Sequence, residues 1–335
     1  MRPAAEAIRR LRAFATAAAL TATLSGGLLA QTGAAPSYHI IRSIPLGGSG
    51  RWDYITLDSV KHRLFIARQT RVMVVDPESG KLLGEIPGLD GAHGVALDYA
   101  TGHGFATSGR DGSVTMFDLG TLRVLQRIPA GAGADAVLYD PASRRVFTFN
   151  GAAHSSSVVD PRSGTPVGNI PLGGKPEFGV ADGRGRVFVN LEDKAQLVEI
   201  DPVAMRVLRR WPLAPCEEPT GLAIDPVHHL LFSGCHNRLM IISDAVRGRM
   251  IAHVPIGAGV DAGAFDPSTQ LAFASNGEGT ITVVHEDSPT RFHVVATAAT
   301  KPGARTMALD QRTHRLYTVT SPVADPFSLL VLDPR

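Results

Sequence analysis

The chain has 335 residues, with 33 Lys and Arg against 31 Asp and Glu and a formal net charge of +2. So small an excess gives no strong support for nucleic-acid binding, which draws on clustered basic side chains. Two cysteines allow one intrachain disulfide, and no Cys-x-x-Cys-His motif supports covalent haem attachment.

Residues 1–30 read as a secretory signal peptide. Arg2, Arg9, Arg10 and Arg12 precede an uncharged stretch from Ala13 to Ala30, and cleavage is expected after Ala30. The stretch is short for a membrane anchor and is interrupted by Ser25, Gly26 and Gly27, so no membrane span is expected in the mature form. A periplasmic or secreted location follows. Removing four arginines and Glu6 takes the net charge from +2 to about −1. Residues 31–37 then form a short linker, and residues 38–335 a single domain.

An aspartate closes a short apolar run at Asp58, Asp98, Asp140, Asp182, Asp225, Asp266 and Asp310, at steps of 40, 42, 42, 43, 41 and 44 residues. An apolar residue followed by proline keeps the same beat at Pro45, Pro87, Pro129, Pro171, Pro212 and Pro255. A second aspartate does so at Asp76, Asp118, Asp160, Asp201, Asp244 and Asp333, with His285 in its place in the sixth repeat. A period in the low forties with several short strands per unit predicts an all-β, seven-bladed β-propeller with four-stranded antiparallel blades.

The third repeat shows the expected plan. Strands are predicted at residues 136–139, 145–149, 157–159 and 166–170, with turns at Asp140 and Asp160 where Asp leads and Pro fixes φ. The recurring aspartates are therefore read as turn formers. A lone strand from His39 to Ile44 is expected to complete the last blade, which otherwise ends one strand short at Leu329 to Leu332.

The second strands Arg145–Asn150 (RVFTFN) and 186–190 (RVFVN), with third strands ending in Val158, Val159 and Asp160, resemble the YVTN-repeat propellers, in particular exported proteins of the YncE type. The resemblance covers nearly all of the mature chain. It implies a seven-bladed fold and leaves function open among sugar lactonases, non-catalytic subunits of quinoprotein dehydrogenases, and binding proteins.

Five positions before each anchor, where the inner strand begins, stand Asp53, His93, Asp135, Glu177, Thr220, Asp261 and Arg305. Four carboxylates, an imidazole and a guanidinium at equivalent inner positions mark a candidate ligand ring around the channel. Ten positions after the anchor, Arg68, Asn150 and Asn276 are expected on the same face and join the candidate set. His154, His236, Arg110 and the 321–327 connection, a candidate flap, project there too. His62, His103, His228, His229 and His314 fall in turns of the opposite face and are read as solvated.

Cys216 and Cys235 come to one face of one blade, where a disulfide is expected; a thiolate metal site with His236 is the alternative. The leading functional reading is a non-catalytic binding protein for a small polar ligand, a cation or a partner protein. The alternative is a metal-assisted, lactonase-like hydrolase with Asp53, His93, Asp135 and Glu177 holding a divalent cation, calcium or magnesium favoured. A third reading, from the resemblance, is a scaffold subunit of a periplasmic redox enzyme.

Overall fold

The repeat rhythm is turn chemistry. In a computed structural model that describes residues 37–48, 51–321 and 326–335, Asp58 Oδ1 accepts hydrogen bonds from the backbone N–H of Val60 (3.1 Å) and Lys61 (2.9 Å). Asp140 does the same for Ala142 (3.2 Å) and Ser143 (3.0 Å), and Asp225 for Val227 (2.8 Å) and His228 (3.2 Å). A short acceptor at the head of each turn satisfies one or two amides that the ladder cannot reach, which is why Asp recurs there.

Among the described residues the strands between these turns pair antiparallel into six sheets, so counted as hydrogen-bonded sheets there are six blades, not the seven expected. Five have four strands. The sixth has six: Ile55–Asp58, Arg63–Val75, Leu82–Asp98, His103–Ser108, Ser113–Asp118 and Val124–Pro129. The first two sequence repeats share this sheet. Arg63–Val75 turns back on itself around Gln69 (φ +46°), and Leu82–Asp98 runs unbroken from the outer edge of one repeat into the inner strand of the next. Pairing of Gln69 with Ala92 joins the two into one ladder, where the sequence spacing implies a break.

Within a sheet, burial rises and then falls from axis to rim. The inner strand Ala134–Asp140 is half-buried, Arg145–Asn150 and Ser155–Asp160 are buried almost throughout, and Thr165–Pro171 is mostly exposed. The core is a set of apolar layers between neighbouring sheets. One of them joins Ile55, Leu64 and Ile66 to Tyr317, Leu329 and Val331, sealing the first sheet to the last. Tyr38–Pro45 pairs with Ser328–Pro334 and completes that last four-stranded sheet.

Near the axis, side chains of one repeat hydrogen-bond the inner-strand backbone of the next. Thr56 Oγ1 donates to the carbonyl of Val95 (2.9 Å), Thr107 to Asp135, Asn190 Nδ2 to Thr220 (3.0 Å), Thr220 Oγ1 to Val260 (2.8 Å), Ser275 to Ala304 (3.0 Å) and Thr306 to Asp53 (3.1 Å). These links fix the inner strands relative to one another, and so fix whatever projects from their ends.

The described residues fall within the unit Ala35–Arg335. The expected signal peptide, the linker up to residue 36 and the central part of the expected flap, residues 322–325, lie outside the described residues. Among the described residues no helix is long and apolar enough to cross a membrane, and only a 3₁₀ turn at Glu192–Lys194 is helical at all. Together with the Cys216–Cys235 disulfide (Cα–Cα 5.5 Å), this is compatible with an exported protein.

Candidate functional site

Six of the seven ring positions, Asp53, Asp135, Glu177, Thr220, Asp261 and Arg305, line one cavity of about 470 Å³ at the start of the inner strands. His93 lines a smaller, adjoining hollow of about 290 Å³ with Asp53, Arg305, Trp52 and Arg110. The His93 Nδ1 contacts Asp53 Oδ2 and stands 3.3 Å from Asp135 Oδ1, so one imidazole bridges two carboxylates. Arg305 Nε pairs with Asp261 Oδ2 at 2.8 Å.

Glu177 is the least compensated of the four carboxylates. Lys175 Nζ is 3.7 Å from its Oε2 but lies against Glu192, and Oε2 is buried without a hydrogen bond. Asp135 Oδ1 is likewise buried and accepts none. Burial first, and the neighbouring charge of Asp135 second, push Glu177 up to about 9. Burial also carries Asp135 to about 6 and Asp261 to about 7, against the opposing charges of His93 and Arg305. His93 is raised: burial opposes the shift, but its hydrogen bond to Asp53 and the charges of Asp135 and Asp53 outweigh it.

Beneath the ring, Tyr54 reaches from the first repeat to Phe178 of the fourth, ring centroids 5.3 Å apart. It is nearly buried, packs with the apolar layer of Ala136, Phe147 and Leu191, and lines the cavity. The cavity thus has an apolar, aromatic side below an acidic rim. Burial and the carboxylates of Asp135, Glu177, Asp261 and Asp53 hold the Tyr54 phenol well above its ordinary value, so it is a neutral donor.

Not every expected residue offers a free polar group to the cavity. Thr220 is 3% exposed and its hydroxyl is committed to Val260, a part of the ring's framework. Asn150 is fully buried and bonds Ser155 and Ser157; Asn276 bonds Thr280 and Thr282 within its own sheet. Arg68 is fully buried too, its guanidinium 3.7 Å from the centroid of Phe327 and donating to the carbonyls of Gly47 and Gly48. The end of the second strand is therefore packed beneath the face, and these three residues are not brought to the cavity.

Sequence spacing missed Tyr54, Glu192 and Lys175, while His236, expected on this face, lines the cavity. The first lies one position after the ring offset, where most repeats carry small residues such as Gly94, Ala136 and Gly221, and that contrast in size is the signal that points to it. The others sit in connections of irregular length, which no offset reaches. His236 Nδ1 meets Glu218 Oε2 at 2.7 Å beside the disulfide, whose two sulfurs leave no thiolate for a metal site.

Of the four residues expected to hold a cation, Asp53, His93 and Asp135 offer ligand atoms within 4.8 Å of one another, and Glu177 stands outside that group. Comparison with protein-family models and with curated proteins finds no match. The YVTN-repeat, YncE-type assignment drawn from the strand motifs is accordingly withdrawn: those motifs report buried second and third strands, which any propeller sheet of this kind needs.

Proposed function

We propose that the chain is an exported, non-catalytic binding propeller whose axial cavity takes a small cationic ligand. The observation that carries this is the pair of buried, hydrogen-bond-free oxygens, Glu177 Oε2 and Asp135 Oδ1, in a cavity of about 470 Å³. Buried acceptors without donors are costly, and a ligand that brings ammonium or metal charge removes that cost on binding. The volume suits a small organic molecule, with Tyr54 against its apolar part and the carboxylates against its charge.

Calorimetric titration of the purified chain with putrescine, and separately with Ca²⁺ and Mg²⁺, tests the reading. Saturable binding of one of these, weakened about tenfold or more (about 1.4 kcal/mol) in Glu177→Gln and Asp135→Asn, is expected. Binding that is absent, or that both variants retain at the wild-type affinity, overturns it.

One observation favours a second reading, lactonase-like hydrolysis. Glu177, held protonated near neutral pH, neighbours the Asp53–His93–Asp135 group, an arrangement that supplies an acid beside a cation-binding set. Turnover of any member of a lactone panel that is lost in Glu177→Gln would decide for it; inertness towards every member leaves binding alone.

A further inference from the structure

At the other end of the inner strands, two carboxylates are buried together. Asp225 ends the strand Pro219–Asp225 and Glu286 lies near the end of Thr280–Ser288 in the adjacent sheet; they are 2% and 1% exposed. His228, in the turn that Asp225 heads, places Nδ1 2.7 Å from Asp225 Oδ2 and 2.6 Å from Glu286 Oε1. Both oxygens of Glu286 and the Nδ1 of His228 are closed off from solvent without a hydrogen bond. A contact between the sixth and seventh repeats shows what a plain structural pair looks like: His314 Nδ1 hydrogen-bonds Asp266 Oδ2 at 2.6 Å, with no second carboxylate in the contact. What is added at His228 is Glu286, buried and aimed at the same point.

We propose that Asp225, His228 and Glu286 form a binding site for a divalent cation of the zinc or manganese class, which ties two neighbouring sheets together. Their ligand atoms lie within 4.8 Å of one another. Two carboxylates supply the charge that a divalent ion neutralises, and the imidazole favours a transition metal over magnesium or calcium. Around zinc, donor atoms stand about 3.3 Å apart, so the present contacts open by several tenths of an ångström on binding. His228 sits on a surface turn with its side chain 32% exposed, which permits that movement and leaves water for the remaining coordination. The proposal is independent of the axial cavity.

The test uses the full chain after chelation and dialysis. Zn²⁺ is titrated calorimetrically into Asp135→Asn, which disables the axial group of Asp53, His93 and Asp135, and into the same chain carrying His228→Gln, Glu286→Gln or His314→Gln, and Co²⁺ is added as an optical probe. One Zn²⁺ equivalent is expected whose affinity falls tenfold or more with His228→Gln and Glu286→Gln and is unchanged with His314→Gln. The Co²⁺ adduct shows a visible d–d band that His228→Gln abolishes. Absence of a Zn²⁺ equivalent, or one that survives in His228→Gln, overturns the proposal. Should Glu286→Gln fail to fold, the surface variant His228→Gln decides alone.

Discussion

Glu177 concentrates the electrostatics of the cavity in one side chain, and its protonation reaches beyond ligand binding into stability. Its ordinary value is 4.5 and the folded value is about 9, so between these limits folding takes up a proton that the unfolded chain has released. The stability that this tight proton holding provides is complete below about pH 4.5 and drains away as pH rises towards 9. The slope is at most about 1.4 kcal/mol per pH unit for one group. Asp261 and Asp135 act in the same sense over narrower windows, from 3.8 up to about 7 and about 6. Glu177→Gln removes the largest share. Denaturant midpoints measured from pH 5 to pH 9 should fall less steeply for this variant than for the wild type, with the variant the more stable at pH 8. Parallel profiles would show that Glu177 is not held protonated.

At the level of a turn or a strand, the recurring aspartates and the small inner-strand residues do separable jobs. Asp140 is fully buried and accepts from Ala142 and Ser143, so Asp140→Ala strands two amides and should cost about 1–3 kcal/mol. Asp140→Asn keeps an acceptor oxygen and should cost clearly less; equal losses in urea unfolding would mean that charge, and not turn geometry, fixes the residue. Gly221 answers to a different constraint. A Cβ there would stand 2.7 Å from the backbone carbonyl carbon of Ala262, so even Gly221→Ala must push neighbouring inner strands apart. Strain of that kind costs about 1–3 kcal/mol, and because Thr220 alongside bonds the carbonyl of Val260, the variant should also loosen the cavity wall.

Across the whole molecule, what could be read from sequence is what side chains dictate. Asp at the turns and a polar ring at the strand starts are demanded by hydrogen bonding and by access to water, so spacing alone places Asp53, His93, Asp135, Glu177, Asp261 and Arg305 together. The sheet count is decided by backbone pairing between Gln69 and Ala92, to which side-chain type is nearly indifferent. His228 was read as a solvated turn residue because Glu286 reaches it from a strand almost sixty positions away, and no offset from one anchor reveals a partner in the next sheet. Arg68, Asn150 and Asn276 were misplaced for a related reason: the end of a second strand is covered by its neighbours' side chains, which register does not show.

Closure makes the assembly one cooperative object. Among the described residues Tyr38–Pro45 is the one partner for the outer edge of Ser328–Pro334, and Tyr38 itself packs edge-on against Phe273 of the preceding sheet, ring centroids 5.3 Å apart. Without that strand, the last sheet ends in an open row of amides and carbonyls beside the apolar run Leu329–Leu332, and open edges of this sort recruit other chains. A chain beginning at Leu46 should therefore unfold at lower denaturant than one beginning at Ser37 and should self-associate in size-exclusion chromatography. The lesion should also be repairable in trans. A synthetic peptide of residues 37–46 restores the missing ladder by strand addition, so it should bind the truncated chain and bring back both the monomer and the unfolding midpoint. A peptide with Ile40 and Ile44 replaced by Asp should not, since it cannot seat against the last sheet and the Leu64 and Tyr317 layer. A truncated chain that remains monomeric and as stable as the full one would mean that the layer joining Ile55, Leu64 and Ile66 to Tyr317, Leu329 and Val331 closes the ring by itself, with the terminal strand adding only cover.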